Sequence, residues 1–149
     1  MTLCKSMLAA VFFIMLTTAQ AQHHEKTKEA QGPLLFSPVL SQVLSDPELA
    51  DFKMESTVLT VVPGGVDTVS HRHDCELFGY VMEGEVEIAL VTKQLKKYGA
   101  GQMFYEPRNI LHTYTHNAST KKPAKILLIF IIKKDRQGYT PEYVPAEKH

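Results

Sequence analysis

Three histidines in this sequence stand at spacings that chemistry can use. His71 and His73 are two residues apart, and in extended backbone that interval puts both imidazoles on one face. Two imidazoles side by side make half of a metal site. A third, His112, follows the turn-forming run Pro107-Arg108-Asn109 and opens another β-like segment, where an antiparallel neighbour would bring it alongside the pair. Neutral imidazole accommodates Fe, Mn, Ni, Cu or Zn as a divalent ion, so the donors predict one divalent transition metal without naming it. Three histidines leave coordination positions open, which suits either dioxygen activation or Lewis-acid polarisation of a bound oxygen.

Two carboxylates lie near these histidines. Under strict alternation from His73, Cys75 and Leu77 face the same way and Glu76 faces away. A bulge or loop between His73 and Leu77 would restore Glu76, which is therefore carried as the candidate fourth ligand. Glu106 immediately precedes the turn that delivers His112. It is expected to orient a histidine by accepting a ring N–H rather than to bind the metal itself. Cys75 reads as a buried, inert thiol, with thiolate ligation as the other possibility. No Ser-His-Asp set, phosphate-binding loop or dinucleotide fingerprint stands out.

The elements that must position these groups are strands. Thr57–Val62 is a β-branched run stopped by Pro63-Gly64-Gly65, and Leu77–Met82 and Glu85–Val91 flank Glu83-Gly84. Leu95–Tyr98, Met103–Tyr105 and Leu111–Thr115 continue the series, and Lys125–Ile132 is apolar enough to suggest a strand buried on both faces. Short strands with regular turn signals predict an all-β barrel or sandwich. Asp46-Pro47-Glu48 predicts a short helical turn. The tail beyond Asp135, with Pro141 and Pro145, should wrap the surface rather than pair centrally. Residues expected to line a cavity are Tyr114, which shares parity with His112, together with Phe78, Tyr80 and Met103. Met82 and Tyr105 are further candidates, and His116 should lie at the strand's exposed end.

The spacing carries a family resemblance. Gly65, five residues, His71, one residue, His73 and onward to Gly84 resembles the first conserved motif of the cupin superfamily. Gly101, five residues, Pro107, a turn, two residues and His112, with Asn117 after it, resembles the second. The resemblance covers Thr57 to about Ile132. It implies a double-stranded β-helix, or jelly roll, of the type 2, RmlC-like kind, with the metal at the barrel mouth. Two departures stand out: the family's motif glutamate falls on Leu77, and Asn109 replaces a glycine that the left-handed turn region usually takes. Many single-domain cupins are similar to quercetin or cysteine dioxygenases, so the resemblance implies a dioxygenase-like oxidoreductase acting on a small molecule. A non-catalytic, metal-dependent binding or sensing module is the alternative, since jelly rolls host both. Small cupins also resemble dimers joined by terminal strands, for which Ile126–Ile132 or Leu34–Leu44 are the candidates.

Composition and the N-terminus set the surroundings. Lysine plus arginine equal aspartate plus glutamate at 16 each, which leaves no electrostatic footprint for nucleic acid or anionic membrane. Lys5, the apolar Leu8–Leu16 and Ala19-Gln20-Ala21 read as a signal peptide over residues 1–21, cleaved after Ala21. The apolar run is shorter than the roughly 20 residues that span a bilayer. A periplasmic or secreted protein follows, with no membrane association after cleavage. Residues 22–33 read as a disordered leader in which His23 and His24 are solvated, and 34–149 as the β-barrel domain with its motif-bearing core at 57–132. Cys4 leaves with the signal, so Cys75 has no intramolecular disulfide partner.

Overall fold

The computed structural model describes residues 32–91, 94–136 and 138–141. The expected signal peptide, most of the leader and residues 142–149 lie outside them. The described strands are β1 (Leu34–Val43), β2 (Phe52–Val61), β3 (Val66–Asp67), β4 (His71–Arg72), β5 (Glu76–Glu83), β6 (Glu85–Leu90), β7 (Leu95–Gly99), β8 (Met103–Glu106), β9 (Leu111–His116), β10 (Ala124–Lys133) and β11 (Thr140–Pro141). Between β1 and β2 the expected helical turn forms at Pro47–Leu49, capped by Asp46, whose carboxylate accepts the Glu48 N–H at 2.8 Å.

The strands form two antiparallel sheets, one ordered β1-β2-β10-β5-β8 and the other β11-β4-β9-β6-β7, with β3 also pairing β9. This is the expected all-β, double-stranded β-helix. The core lies between the sheets, where Leu59, Val61, Leu77, Val81, Val86, Ile88, Phe104, Ile126 and Leu128 meet. Gly84 makes the tight β5–β6 connection at φ 76, and a side chain there would strike the Pro123 carbonyl at 2.8 Å. At the far end of the barrel, the fully buried Asn117 amide donates to the carbonyls of Val61, Val62 and Lys122. It thereby ties the end of β2 to the turn before β10.

Several sequence expectations need correction. β2 begins at Phe52, five residues before the β-branched run that signalled it. β10 is not buried on both faces: Ile126, Leu128 and Ile132 are buried, whereas Leu127, Ile129 and Ile131 on the reverse face are half-buried. Among the described residues that face is shaded by strand neighbours such as Met54, Val58 and Tyr80. Because β10 is flanked by β2 and β5, Ile126–Ile132 has no open edge to offer another chain. Leu34–Leu44 instead supplies β1, which pairs with β2 and forms the outer edge of its sheet.

Gly79 and Phe104 show how closely the core is filled. They stand opposite one another in β5 and β8, and a Cβ on Gly79 would lie 2.0 Å from the Phe104 ring. Gly79→Ala is therefore expected to destabilise by about 1–3 kcal/mol through overpacking, measured as a lower urea midpoint. An unchanged midpoint would show that the ring is free to move aside.

Candidate metal centre

The site is built where β4 meets β9. His71 stands directly opposite His112 in that pair, and the two rings stack with centroids 4.7 Å apart and planes 16° from parallel. His73, two residues on, points the same way and meets His71 edge-on at 4.9 Å. All three are buried, at 6–7% exposure. The turn before β9 is fastened to β4: the Asn109 N–H donates to the His73 carbonyl at 2.7 Å, and the Arg72 guanidinium donates to the Asn109 carbonyl at 2.7 Å. Asn109 adopts φ 62, the left-handed turn expected of it.

Backbone carbonyls set two of the rings. His71 Nδ1–H donates to the Val69 carbonyl at 2.8 Å, and His73 Nδ1–H donates to the Gly138 carbonyl at 2.6 Å. Each bond leaves Nε2 with the ring's lone pair. Burial holds both imidazoles below their ordinary pKa of 6.5, the neighbouring histidines push the same way, and the two carbonyls and Glu106 oppose the shift. Both rings are thus neutral near pH 7, the form that binds metal.

His112 is held at both nitrogens, with Nδ1 3.0 Å from Glu106 Oε1 and Nε2 2.7 Å from the Thr115 hydroxyl. In this arrangement no group of three His, Cys, Asp or Glu among the described residues is poised to hold a metal ion. The hydrogen bonds to Glu106 and Thr115 occupy the nitrogen that His112 would have to offer. The donor set nonetheless fits a divalent cation. Glu106 is 2% exposed, and its Oε2 is buried without a hydrogen-bond partner, 3.9 Å from His73 Nε2. A carboxylate oxygen stranded among neutral imidazoles carries a desolvation cost that a cation would offset.

Glu76 does not join this group. Burial alternates through the bend at Asp74–Cys75 that carries the chain from β4 in one sheet to β5 in the other, so Leu77 points inward at 2% exposure while Glu76 turns to the opposite face and accepts the Tyr105 hydroxyl. Leu77 and Glu106 are cross-strand partners in the β5–β8 pair. The carboxylate reaching the histidines therefore comes from β8, directly opposite an apolar residue on β5. Cys75 is buried, and its thiol is pushed up to about 12, first by burial and then by Asp74 and Glu76. In the metal-free protein the thiol is therefore protonated, and Cys75 does not line the cavity that holds the histidines.

Beside the histidines lies a cavity of about 450 Å³, walled by Leu34, Phe36, Leu59, Leu77, Phe104, Ile126, Leu128 and Phe130. Phe78, Tyr80 and Met103, expected in this wall, project from the outer face of the same sheet and are 36%, 40% and 56% exposed; Met82 and Tyr105 do likewise. Inward Leu77 forces this, because 78, 80 and 82 must then face out. Tyr114 is displaced for a different reason. The β6–β9 register runs from Leu90↔His112 to Ala89↔Tyr114, so Thr113 is an extra, bulged residue, and its hydroxyl donates to the Ala89 carbonyl at 3.1 Å. The bulge reverses parity, so Thr115 lines the cavity and Tyr114 packs beside His116 on the outside. His116 pairs there with Glu87 at 2.8 Å.

Sequence reasoning missed the tail's contribution. Thr140–Pro141 adds to the sheet edge beside β4, which brings the Tyr139 ring to 4.8 Å from His71 and the Gly138 carbonyl to His73. Nothing in the local residue pattern pointed to these contacts, which exist only once the tail has crossed the fold.

A family model described as the cupin domain matches residues 57–130. No curated protein matches the chain. Among solved structures, a conserved double-stranded β-helix protein from Klebsiella pneumoniae superposes with a TM-score of 0.59 at 18% identity, covering 77% of this chain and 89% of its own. An oxalate decarboxylase variant from B. subtilis gives 0.56 at 14% identity over 75% of this chain and 29% of its own. A DMSP lyase from Ruegeria pomeroyi gives 0.51 at 18% identity, over 64% and 45% respectively. At these identities the likeness is one of fold.

The lowered histidine pKa values carry a stability consequence. Since the folded values lie below the unfolded 6.5, the unfolded chain takes up protons first as pH falls. The contribution of these histidines is complete above 6.5 and is lost as pH drops through the folded values. The urea midpoint of the metal-free protein should therefore fall from about pH 7.5 to about pH 5, and His71→Gln/His73→Gln should flatten the decline. An equally steep decline in that variant would locate the effect elsewhere.

Proposed function

The chain belongs to the cupin superfamily, and from that premise we propose that it is an exported, metal-dependent cupin acting on a small organic molecule. One divalent transition metal is held by His71, His73 and His112, with Glu106 in place of Glu76 as the carboxylate. The observation that carries this reading is the buried, unpartnered Glu106 Oε2 facing three clustered imidazoles. When bound, the ion supplies a Lewis-acidic centre with open positions, redox-active if it is iron, manganese or copper. The chain's own residues do the rest. Val69 and Gly138 fix the ring orientations, Glu106 Oε1 sets His112, and the apolar wall excludes water from the reacting end of the ligand. Dioxygenase-like oxidation of a small molecule is the activity that best suits this arrangement. The A-x-A pattern at Ala19–Ala21 supports export.

A non-catalytic binding module is the second reading. It is favoured by the complete hydrogen bonding of His112 and by the methyl surface that Leu77 presents to the site.

Elemental analysis of the mature, untagged protein tests the first reading. Near-stoichiometric metal is expected in the wild type and none in His71→Ala/His112→Ala. Glu106→Gln should weaken metal affinity by about 10–100-fold, and Glu76→Gln should leave it unchanged. A wild type that takes up no metal even on reconstitution would sink the proposal.

The open edge of β1 also supports a homodimer. Phe36, Val39, Leu40 and Val43 are 46–60% exposed along it, and such an edge is a template for pairing. Sedimentation should show twice the chain mass at micromolar concentration, and a Val39→Lys protein should sediment as a monomer. A monomeric wild type would remove this partner.

A further inference from the structure

We infer that the cavity selects an organic cation: a ligand whose apolar body fills the space beside the histidines and whose amine-type group is received by Glu55 and Asp67. The inference rests on the small-ligand reading above for its location and not on the metal.

The argument begins with charge. The chain as a whole is balanced, with 16 basic and 16 acidic residues, yet the cavity lining is not. Among the described residues its charged side chains are Glu55, Asp67 and Glu106, with no lysine or arginine among them. A site built for carboxylates or phosphates would present arginine or lysine, whose donors match such groups. Here an anionic ligand would meet three carboxylates in an apolar enclosure.

The two outer acids come from opposite sheets, Glu55 from β2 and Asp67 from β3. Asp67 is fixed by accepting the Val69 N–H at 3.0 Å. Glu55 Oε1 is engaged by Lys53 at 2.7 Å and by the Ser41 hydroxyl at 3.5 Å. That pair is half-buried, with side-chain exposures of 23% and 36%, so an arriving ammonium takes up Glu55 by exchanging with the lysine, one ammonium for another.

Aromatic faces accompany the acids. Phe130 stands opposite Glu55 in the β2–β10 pair, its ring 5.8 Å from His73. Phe36 and Tyr139 line the cavity yet remain 59% and 48% exposed. Carboxylates beside open aromatic faces are the chemistry that receives alkylammonium groups. Deeper in, the unpartnered and buried Glu106 Oε2 gives the same cavity a third negative atom.

Calorimetric titration of the mature protein with three probes that share a phenol body tests the inference. The probes are tyramine, 4-ethylphenol and 4-hydroxyphenylacetate: cationic, neutral and anionic. Each is run on metal-loaded and metal-free samples whose metal content is measured in parallel. Tyramine is expected to bind about 10-fold or more tightly than 4-hydroxyphenylacetate in the metal-free sample, which decides the test because the anion's carboxylate can take an open position on a bound ion. Glu55→Gln/Asp67→Asn should bring the two to within about threefold while 4-ethylphenol keeps its affinity. Asp67→Asn alone provides a milder variant should the double one fold poorly. The inference is overturned if the anion binds the metal-free sample as well as the cation does, if the preference survives the double substitution, or if no probe binds at millimolar concentration. Absence of metal with the preference intact would overturn the metal reading and leave this one standing.

Discussion

Side-chain parity along extended strands governs the geometry of this protein, because a residue's side is settled by its neighbours and can change only at a bulge. The β4–β9 pair turns that constraint into a site. With His71 opposite His112 and His73 two residues further along, three imidazoles must share one face of one sheet. The pairing of Leu77 with Glu106 places the opposing sheet's contribution just as firmly. The remaining features, the tail against β4 and the Asn109 turn clamped to His73, hold these two pairs where parity has put them.

That constraint also explains what was legible in the sequence. The three histidines and the jelly roll could be read because period-two spacing and glycine turns are local signals. The inward Leu77 followed from strict alternation, and so did the outward Glu76; Glu76 was kept as a ligand on the supposition of a bulge or loop, and the bend that does intervene at Asp74–Cys75 leaves it facing outward. The bulge that does occur, at Thr113, has no local signature, and it moved Tyr114 out of the cavity. Phe78, Tyr80 and Met103 were misplaced for another reason: large apolar residues look like cavity lining whichever face they occupy, and the outer face of this sheet is unusually apolar. The tail was invisible as part of the fold, because its partner β4 lies far away in the chain, and Leu34–Leu44 was read as a strand for another chain, whereas it pairs with the next strand, β2.

Electrostatically the site is arranged around neutrality. Burial keeps His71 and His73 uncharged, and the two backbone carbonyls orient them without adding charge. Glu106 is the single anionic group brought deep inside, with one oxygen spent on His112 and the other unmatched. Polar investment is concentrated there, while the surrounding wall of leucine, isoleucine and phenylalanine raises the strength of every interaction at that point. Asn117 plays the corresponding role at the far end of the barrel, where a fully satisfied amide secures the backbone.

The bulge at Thr113 separates β9 into two stretches of opposite phase, with His112 before it and Thr115 after it both facing inward. Removing that one residue would close the ladder into regular pairing, with Tyr114 directly after His112 and still facing out and Thr115 still facing in. A single-codon deletion would thus cost the Thr113 hydroxyl bond to Ala89 and the local bend, yet keep His112 and the hydroxyl that contacts it on the cavity side. For this barrel, loss of a codon at the bulge is a change of strand length that spares the histidines and the ligand-facing wall alike.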